Sequence, residues 1–211
     1  MRPWVDSPAG MESIGMELAL VNNDLMLNGY RDGIPNQVVR RIALAKSDAK
    51  SAADALAALP RMGGRSYLIG AQNGEVVAAE VSAKSGAHFL PPADIQLHAN
   101  NELLPATRAE ENQQALHGTY PSSAARLAAL RVATAGEEWS VEGVKRILYD
   151  ETGAPNSVCK TASADEPIQT AFSIIIDCGR AEMHLAFGKP SADSYRKIIL
   201  PLPRRSDRSE G

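Results

Sequence analysis

The spacing of apolar positions alternates along the chain between two residues and three to four, and the switches mark the expected elements. Residues 16–27 alternate loosely, with Leu18, Leu20 and Leu25 among polar neighbours and Asn22-Asn23 inside the run, which predicts a strand entering a turn. Gly29, Gly33 and Pro35 then break the pattern. Over 35–45, Val38, Val39, Ile42 and Ala45 recur at helical spacing, with Pro35 suited to the first turn. An Ala-rich second helix is expected over 48–59, stopped by Pro60. Residues 66–71 and 75–81 flank Asn73-Gly74, whose readiness for positive φ predicts a tight hairpin. After Pro91-Pro92, residues 95–100 read as a short strand, with loop and helix left open. A capped Ala/Leu helix is predicted over 122–131, and another over 140–149 with Val141, Val144, Ile147 and Leu148 along one face. The remainder returns to strands at 156–161, 170–177, 182–187 and 195–200, where Ile174-Ile175-Ile176 implies a strand covered on both faces.

This order shows no regular strand–helix–strand alternation and no internal repeat, so the expected class is α+β, with helices packed on antiparallel sheet. Both a two-layer and a four-layer sandwich fit the pattern. A single domain is expected over 1–203, with a polar, disordered tail over 204–211. At 211 residues and 44% hydrophobic content the chain can bury a substantial core. Its 22 basic and 25 acidic residues leave a net charge of −3, which gives no electrostatic reason to expect nucleic acid or an anionic membrane as partner; a small substrate fits better. Two cysteines, Cys159 and Cys178, are too few for a disulfide framework, and His88, His117 and His184 share no metal-ligand spacing. No metal or organic cofactor is expected. Gly63-Gly64 lacks the strand–loop–helix setting of a phosphate cradle and reads as a turn. Without a signal-like or membrane-spanning apolar run, the expected location is cytoplasmic. The chain enters core-forming sequence almost at once, so an upstream neighbour is expected, and with it self-association of the isolated chain through an unpaired sheet edge.

Several segments carry a resemblance, in order along the chain. Gly10-Met11-Glu12-Ser13-Ile14-Gly15-Met16, followed by Leu20-Val21-Asn22-Asn23, is similar to a Gly-x-Asn-x-x-Gly-Leu strand leading to a Leu-Asn pair, with Glu12 in place of asparagine. The Asn73-Gly74 hairpin ending in Glu80 is similar to an Asp-Gly hairpin that ends in a glutamate strand. Leu97-His98-Ala99-Asn100-Asn101-Glu102-Leu103 looks like His-Thr-Asn-His-x-Leu, and Gly118 to Leu127 resembles a Tyr-x-Ser-Ser-x-x-Arg helix start. Asp150 to Lys160 looks like Asp-His-x-Gly-x-Pro-x-Ser-Ile-Cys-Arg-His, and Gly188-Lys189-Pro190 like a terminal Gly-x-Pro. Together these resemble the C-terminal two-thirds of the acyl-coenzyme A:6-aminopenicillanate acyltransferase family, related to penicillin V acylase and bile salt hydrolase.

The resemblance implies an N-terminal-nucleophile hydrolase-like αββα sandwich, here lacking its N-terminal strands. It also implies acyl transfer or amide hydrolysis on an acyl amide or acyl-coenzyme A, by an N-terminal cysteine whose α-amino group serves as base. That cysteine is not encoded here. By position, Asn100 and Asn22 would donate to the developing oxyanion, and Arg126 would be a fixed cation ordering the site. Beside this stand blander readings: asparagines near strand ends cap turns, a helix arginine is usually solvated, and Cys159 matches a family cysteine that is not the nucleophile. Lys160 and Thr161, where the family has arginine and histidine, favour the rival reading of a degenerate scaffold that binds without turnover.

Overall fold

The computed structural model describes residues 18–200 together with the backbone of Ser13–Ile14. Most of the Gly10–Met16 motif, Glu12 included, and the tail over 204–211 lie outside the described residues. The strands are β1 (Ser13–Ile14), β2 (Leu18–Leu25), β3 (Gly64–Ala71), β4 (Val76–Ser82), β5 (Gly86–Phe89), β6 (Phe172–Asp177), β7 (Glu182–Phe187) and β8 (Arg196–Ile199). The helices are α1 (Asn36–Leu44), α2 (Ala49–Ala58), α3 (Pro105–Arg108), α4 (Gln113–Thr119), α5 (Ser123–Thr134) and α6 (Val141–Leu148). All strand pairs are antiparallel, in a five-stranded sheet ordered β1-β2-β3-β4-β5 and a three-stranded sheet ordered β6-β7-β8. The molecule is therefore α+β with two antiparallel sheets.

Local chemistry sets the element ends. Asp48 Oδ1 accepts the Ser51 N–H at 2.7 Å and starts α2, Asn112 Oδ1 accepts from Ala115 N at 3.0 Å at α4, and Ser140 Oγ accepts from Gly143 N at 3.0 Å at α6. In the β3–β4 hairpin Gly74 takes φ +86° and Asn73 Oδ1 accepts from Glu75 N at 2.9 Å. Leu18 and Leu20 of β2 and Tyr67 and Ile69 of β3 pack with Val39, Ala43, Ala52 and Leu56 of α1 and α2, forming the larger core on one face of the first sheet. A second core joins Leu130 of α5 and Val144, Ile147 and Leu148 of α6 to Ile175 of β6. At the β6–β7 turn, Cys178 Sγ lies 3.9 Å from Gly70 O of β3, bringing the second sheet to the first.

Three expectations need correction. Residues 156–161 form no strand: Ser157 Oγ donates to Cys159 O at 2.6 Å and Cys159 N donates to Asp150 O at 2.9 Å, so the segment bends back on the end of α6 while Val158, Cys159 and Lys160 stay buried. The isoleucine run of β6 is closed on one side only, because Ile175 is buried while Ile174 and Ile176 of this edge strand are half-buried. Ser122 does not cap α5 with its side chain; its hydroxyl donates instead to Glu166 Oε1 at 3.2 Å. Residues 95–100, left open by the sequence, are extended without pairing as a strand. Strand β5 and helices α3 and α4 had no counterpart in the sequence reading.

Candidate functional site

The site is built on β2, a strand buried along nearly its whole length. Alternation puts Leu18, Leu20 and Asn22 on the face that α1 and α2 cover, and the register sets Asn22 opposite Tyr67 of that core. Asn22 is 3% exposed and its Oδ1 accepts no hydrogen bond. On the other face Val21 packs with Leu68 and Ala78. Asn23 stands opposite Ser66, and Ser66 opposite Glu80, so a buried polar row crosses β2, β3 and β4 there.

Across this second face runs the extended segment that follows Pro91-Pro92, and Glu80 organises it. Glu80 is fully buried and its carboxylate faces His98 Nε2 at 2.8 Å, the Leu103 N–H at 2.6 Å, the Leu104 N–H at 3.0 Å and the Thr107 hydroxyl. Burial alone would raise its pKa, but the hydrogen bonds from His98, Thr107 and Leu103 outweigh burial and hold it below the usual value. His98 Nδ1 meets Ala99 O, so both ring nitrogens face acceptors.

Pinned at that end, the segment delivers Asn100 to β2. Asn100 is fully buried; its backbone N–H donates to Ser123 Oγ at 2.8 Å, its Nδ2 donates to Asp24 O at 3.0 Å, and its Oδ1 accepts nothing. Ser123 opens α5, and Arg126, one turn on, lies on the same buried face of that helix. Arg126 Nη2 donates to Val158 O at 3.4 Å, beside Cys159. Asn100 and Arg126 are thus brought together through Ser123, whereas the side chain of Asn22 points to the opposite face of the sheet.

Three further groups flank this pair. Asp24 is held by Arg65 Nε at 2.9 Å and by the Tyr120 hydroxyl at 3.2 Å, and burial, with the Asp24 charge, pushes the Tyr120 phenol up to about 12. Glu102 is buried, and burial first, then the neighbouring Glu111 carboxyl, raises its pKa to about 9, which favours the protonated form at neutral pH. Lys160 pairs with Glu166 at 2.8 Å, and Lys189 donates to Thr161 Oγ1 at 2.8 Å and pairs with Glu151 at 2.7 Å.

Neither cysteine has the setting of a nucleophile. Cys159 is fully buried, and burial raises its thiol pKa against the pull of Lys189. Burial, then Asp177, pushes Cys178 up to about 11. Both are protonated at neutral pH, and thiolate is the reactive form. Among the described residues no group of three or more His, Cys, Asp or Glu side chains could hold a metal ion, and no helix is long and apolar enough to cross a membrane. The sequence reading passed over Asn23, Ser66 and Asp24 as site-forming groups. Tyr120 lies within the Gly118 to Leu127 motif and Asp24 directly follows Asn22-Asn23, but their contact spans 96 positions and leaves no local trace.

A family model described as Acyl-coenzyme A:6-aminopenicillanic acid acyl-transferase matches residues 10–192. No curated protein matches the chain.

Proposed function

The chain belongs to the acyl-coenzyme A:6-aminopenicillanic acid acyl-transferase family, and from that premise we propose that it is the oxyanion-stabilising and substrate-ordering part of an N-terminal-cysteine acyltransferase or amide hydrolase. The substrate class is a small acyl amide or an acyl-coenzyme A. In this reading the α1/α2 layer on the first sheet and the α5/α6 layer on the second are the outer layers of an αββα sandwich like that of N-terminal-nucleophile hydrolases. What carries the reading is Asn100, fixed through Ser123 on the helix that bears Arg126. One Nδ2 hydrogen is spent on Asp24 O, and the second is the donor for the oxygen that becomes negative when an acyl carbon is attacked. Arg126 supplies the fixed positive charge that orders the substrate end. Asn22, on the opposite face of the first sheet, does not reach the oxygen that Asn100 would hold, so in this scheme Asn100 acts without it.

In such a mechanism a cysteine thiolate attacks the acyl carbonyl, the tetrahedral oxyanion is held by preorganised amide donors, and the leaving amine or thiol departs before water or an acceptor amine takes the acyl group. Because Cys159 is buried, Cys178 is half-buried and both are protonated, the attacking sulfur in this reading is neither of them. The chain alone is therefore expected to show no turnover of acyl-p-nitroanilides or acyl-coenzyme A. It is expected to bind the amide, shifting the Asn100 side-chain amide resonances in an NMR titration. Binding unchanged in the Asn100→Ala, Arg126→Ala double variant contradicts the site, and turnover abolished by Cys159→Ala alone makes Cys159 the nucleophile. A second reading, a scaffold that binds and does not turn over, is favoured by Lys160: its charge is already neutralised by Glu166 in a buried pair.

A further inference from the structure

Away from Asn100 and Arg126, on the α1/α2 side of the first sheet, lies a polar cavity of about 190 Å³. Its walls are Asn36 and Gln37 at the start of α1, Arg61 and Arg65 around the start of β3, Tyr67 and Tyr30. Arg61 is 4% exposed, and neither of its terminal guanidinium nitrogens meets a hydrogen-bond acceptor. No carboxylate among the described residues pairs with it. Its neighbour is Tyr67, which gives it partial polar support without cancelling its charge: the ring centroid lies 5.9 Å from the guanidinium carbon, and the Tyr67 hydroxyl itself donates to Asn36 Oδ1 at 2.6 Å. Arg61 is also locked in place: a Cβ on Gly33 would come within 2.5 Å of its carbonyl carbon, and Ile34 N donates to Pro60 O at 2.9 Å.

A buried cation with no counterion is costly unless something anionic completes it. Two further features of the cavity favour the same sign of ligand. The first turn of α1 contains no acidic residue and no side-chain cap, so the positive end of a nine-residue helix faces the cavity. Arg65 borders it as well, its own charge balanced by Asp24 at 2.9 Å. The guanidinium fork matches the oxygens of a phosphate in two-point contact. Tyr30, 73% exposed at the rim, offers a ring face to whatever the anion is attached to.

We propose that this cavity is an anion-binding site for a phosphate group, whether free or carried on a larger molecule. The site is separate from the acyl-transfer reading above and does not depend on it. The test is calorimetric titration of the full chain, at matched ionic strength, with inorganic phosphate, adenosine 3′,5′-bisphosphate and acetate. Saturable phosphate binding that outcompetes acetate is expected. Arg61→Gln should weaken it roughly ten- to a hundredfold, the loss of a charge-assisted hydrogen bond. Asn36→Asp separates binding from folding, because an acid at a helix N-terminus favours the helix while repelling the anion. That variant should melt no lower than the wild type and bind phosphate more weakly. Tighter binding of the bisphosphate, lost in Tyr30→Ala, identifies a phosphate carried on a larger ligand, and equal binding of the two identifies free phosphate. Absence of saturable phosphate binding, acetate binding as tight as phosphate, or an affinity untouched by Asn36→Asp overturns the proposal.

Discussion

Replacing Glu80 by glutamine should unfasten the segment that carries Asn100. Glutamine keeps the shape and one acceptor oxygen, but it removes the charge that His98 faces and turns an NH2 group toward donors that now meet a carboxylate, chief among them the Leu104 N–H and the Thr107 hydroxyl. Removing one partner of a buried charged pair costs about 3–5 kcal/mol, and for a protein of this length each kcal/mol lowers Tm by about 2–4 °C, so the loss should be about 6–20 °C. The pH dependence has a definite sign. The folded pKa of Glu80 is depressed, so its stabilisation is complete above the unfolded value of 4.5 and disappears as pH falls through the lower folded value. Wild type and Glu80→Gln should therefore differ most at pH 6–8 and converge on acidification. Thermal unfolding followed by circular dichroism across that range measures both effects, and hydrogen exchange at the Leu103 and Leu104 amides should accelerate in the variant. A Tm loss below about 2 °C, less than one kcal/mol by the same scaling, or a gap that stays constant down to acid pH would refute the role given to Glu80.

Other perturbations have equally specific outcomes. Glu102, with its pKa raised to about 9, binds a proton more tightly in the folded state, so stability should fall as pH rises from 4.5 toward 9, and Glu102→Gln should flatten that slope in pH-resolved chemical denaturation. Gly143→Ala should destabilise by about 1–3 kcal/mol although alanine favours helices, because its Cβ would lie 2.1 Å from the Glu138 carbonyl oxygen; a higher Tm would contradict this packing. Cys159 and Cys178 should resist a thiol-directed label in the native protein at neutral pH and both react in denaturant, as read by mass spectrometry. The edge of β6, unpaired among the described residues, should support self-association, detectable as a concentration-dependent mass in light scattering, and Ile174→Lys should reduce it.

The elements that could be read in advance are those with local causes. The β3–β4 hairpin follows from Asn73-Gly74, and α2 and α6 from Asp48 and Ser140 acting as caps; these signals lie within four residues of what they determine. Residues 156–161 look like a strand by composition, yet their backbone is claimed by Asp150 and Thr170, a competition that residue type does not reveal. Strand β5 is four residues long and α3 is four, too short for either period to register.

The site divides along the same line. Asn100 and Arg126 stand in motifs whose neighbours meet in the structure: Ser123, three residues before Arg126, accepts the Asn100 N–H, and His98, two residues before Asn100, faces Glu80. The sequence reading named Asn22 as a donor, but the face that Asn22 and Asn23 each present could not be read there, because β2 is buried on both faces and alternation labels a face only where one side is polar. Register resolves it: Tyr67 opposite Asn22 belongs to the α1/α2 core, and Ser66 opposite Asn23 adjoins Glu80. A one-residue slip between β2 and β3 would exchange the two asparagines, so the polar row and the hold on Asn100 depend on the same pairing. Asp24 ties them together, since its carbonyl receives the Asn100 amide while its carboxylate takes Arg65 from the neighbouring strand and Tyr120 from the approach to α5. The geometry around Asn100 is therefore set by strand register and by Glu80 jointly, and a change to either should move the amide donor before it unfolds the sheet.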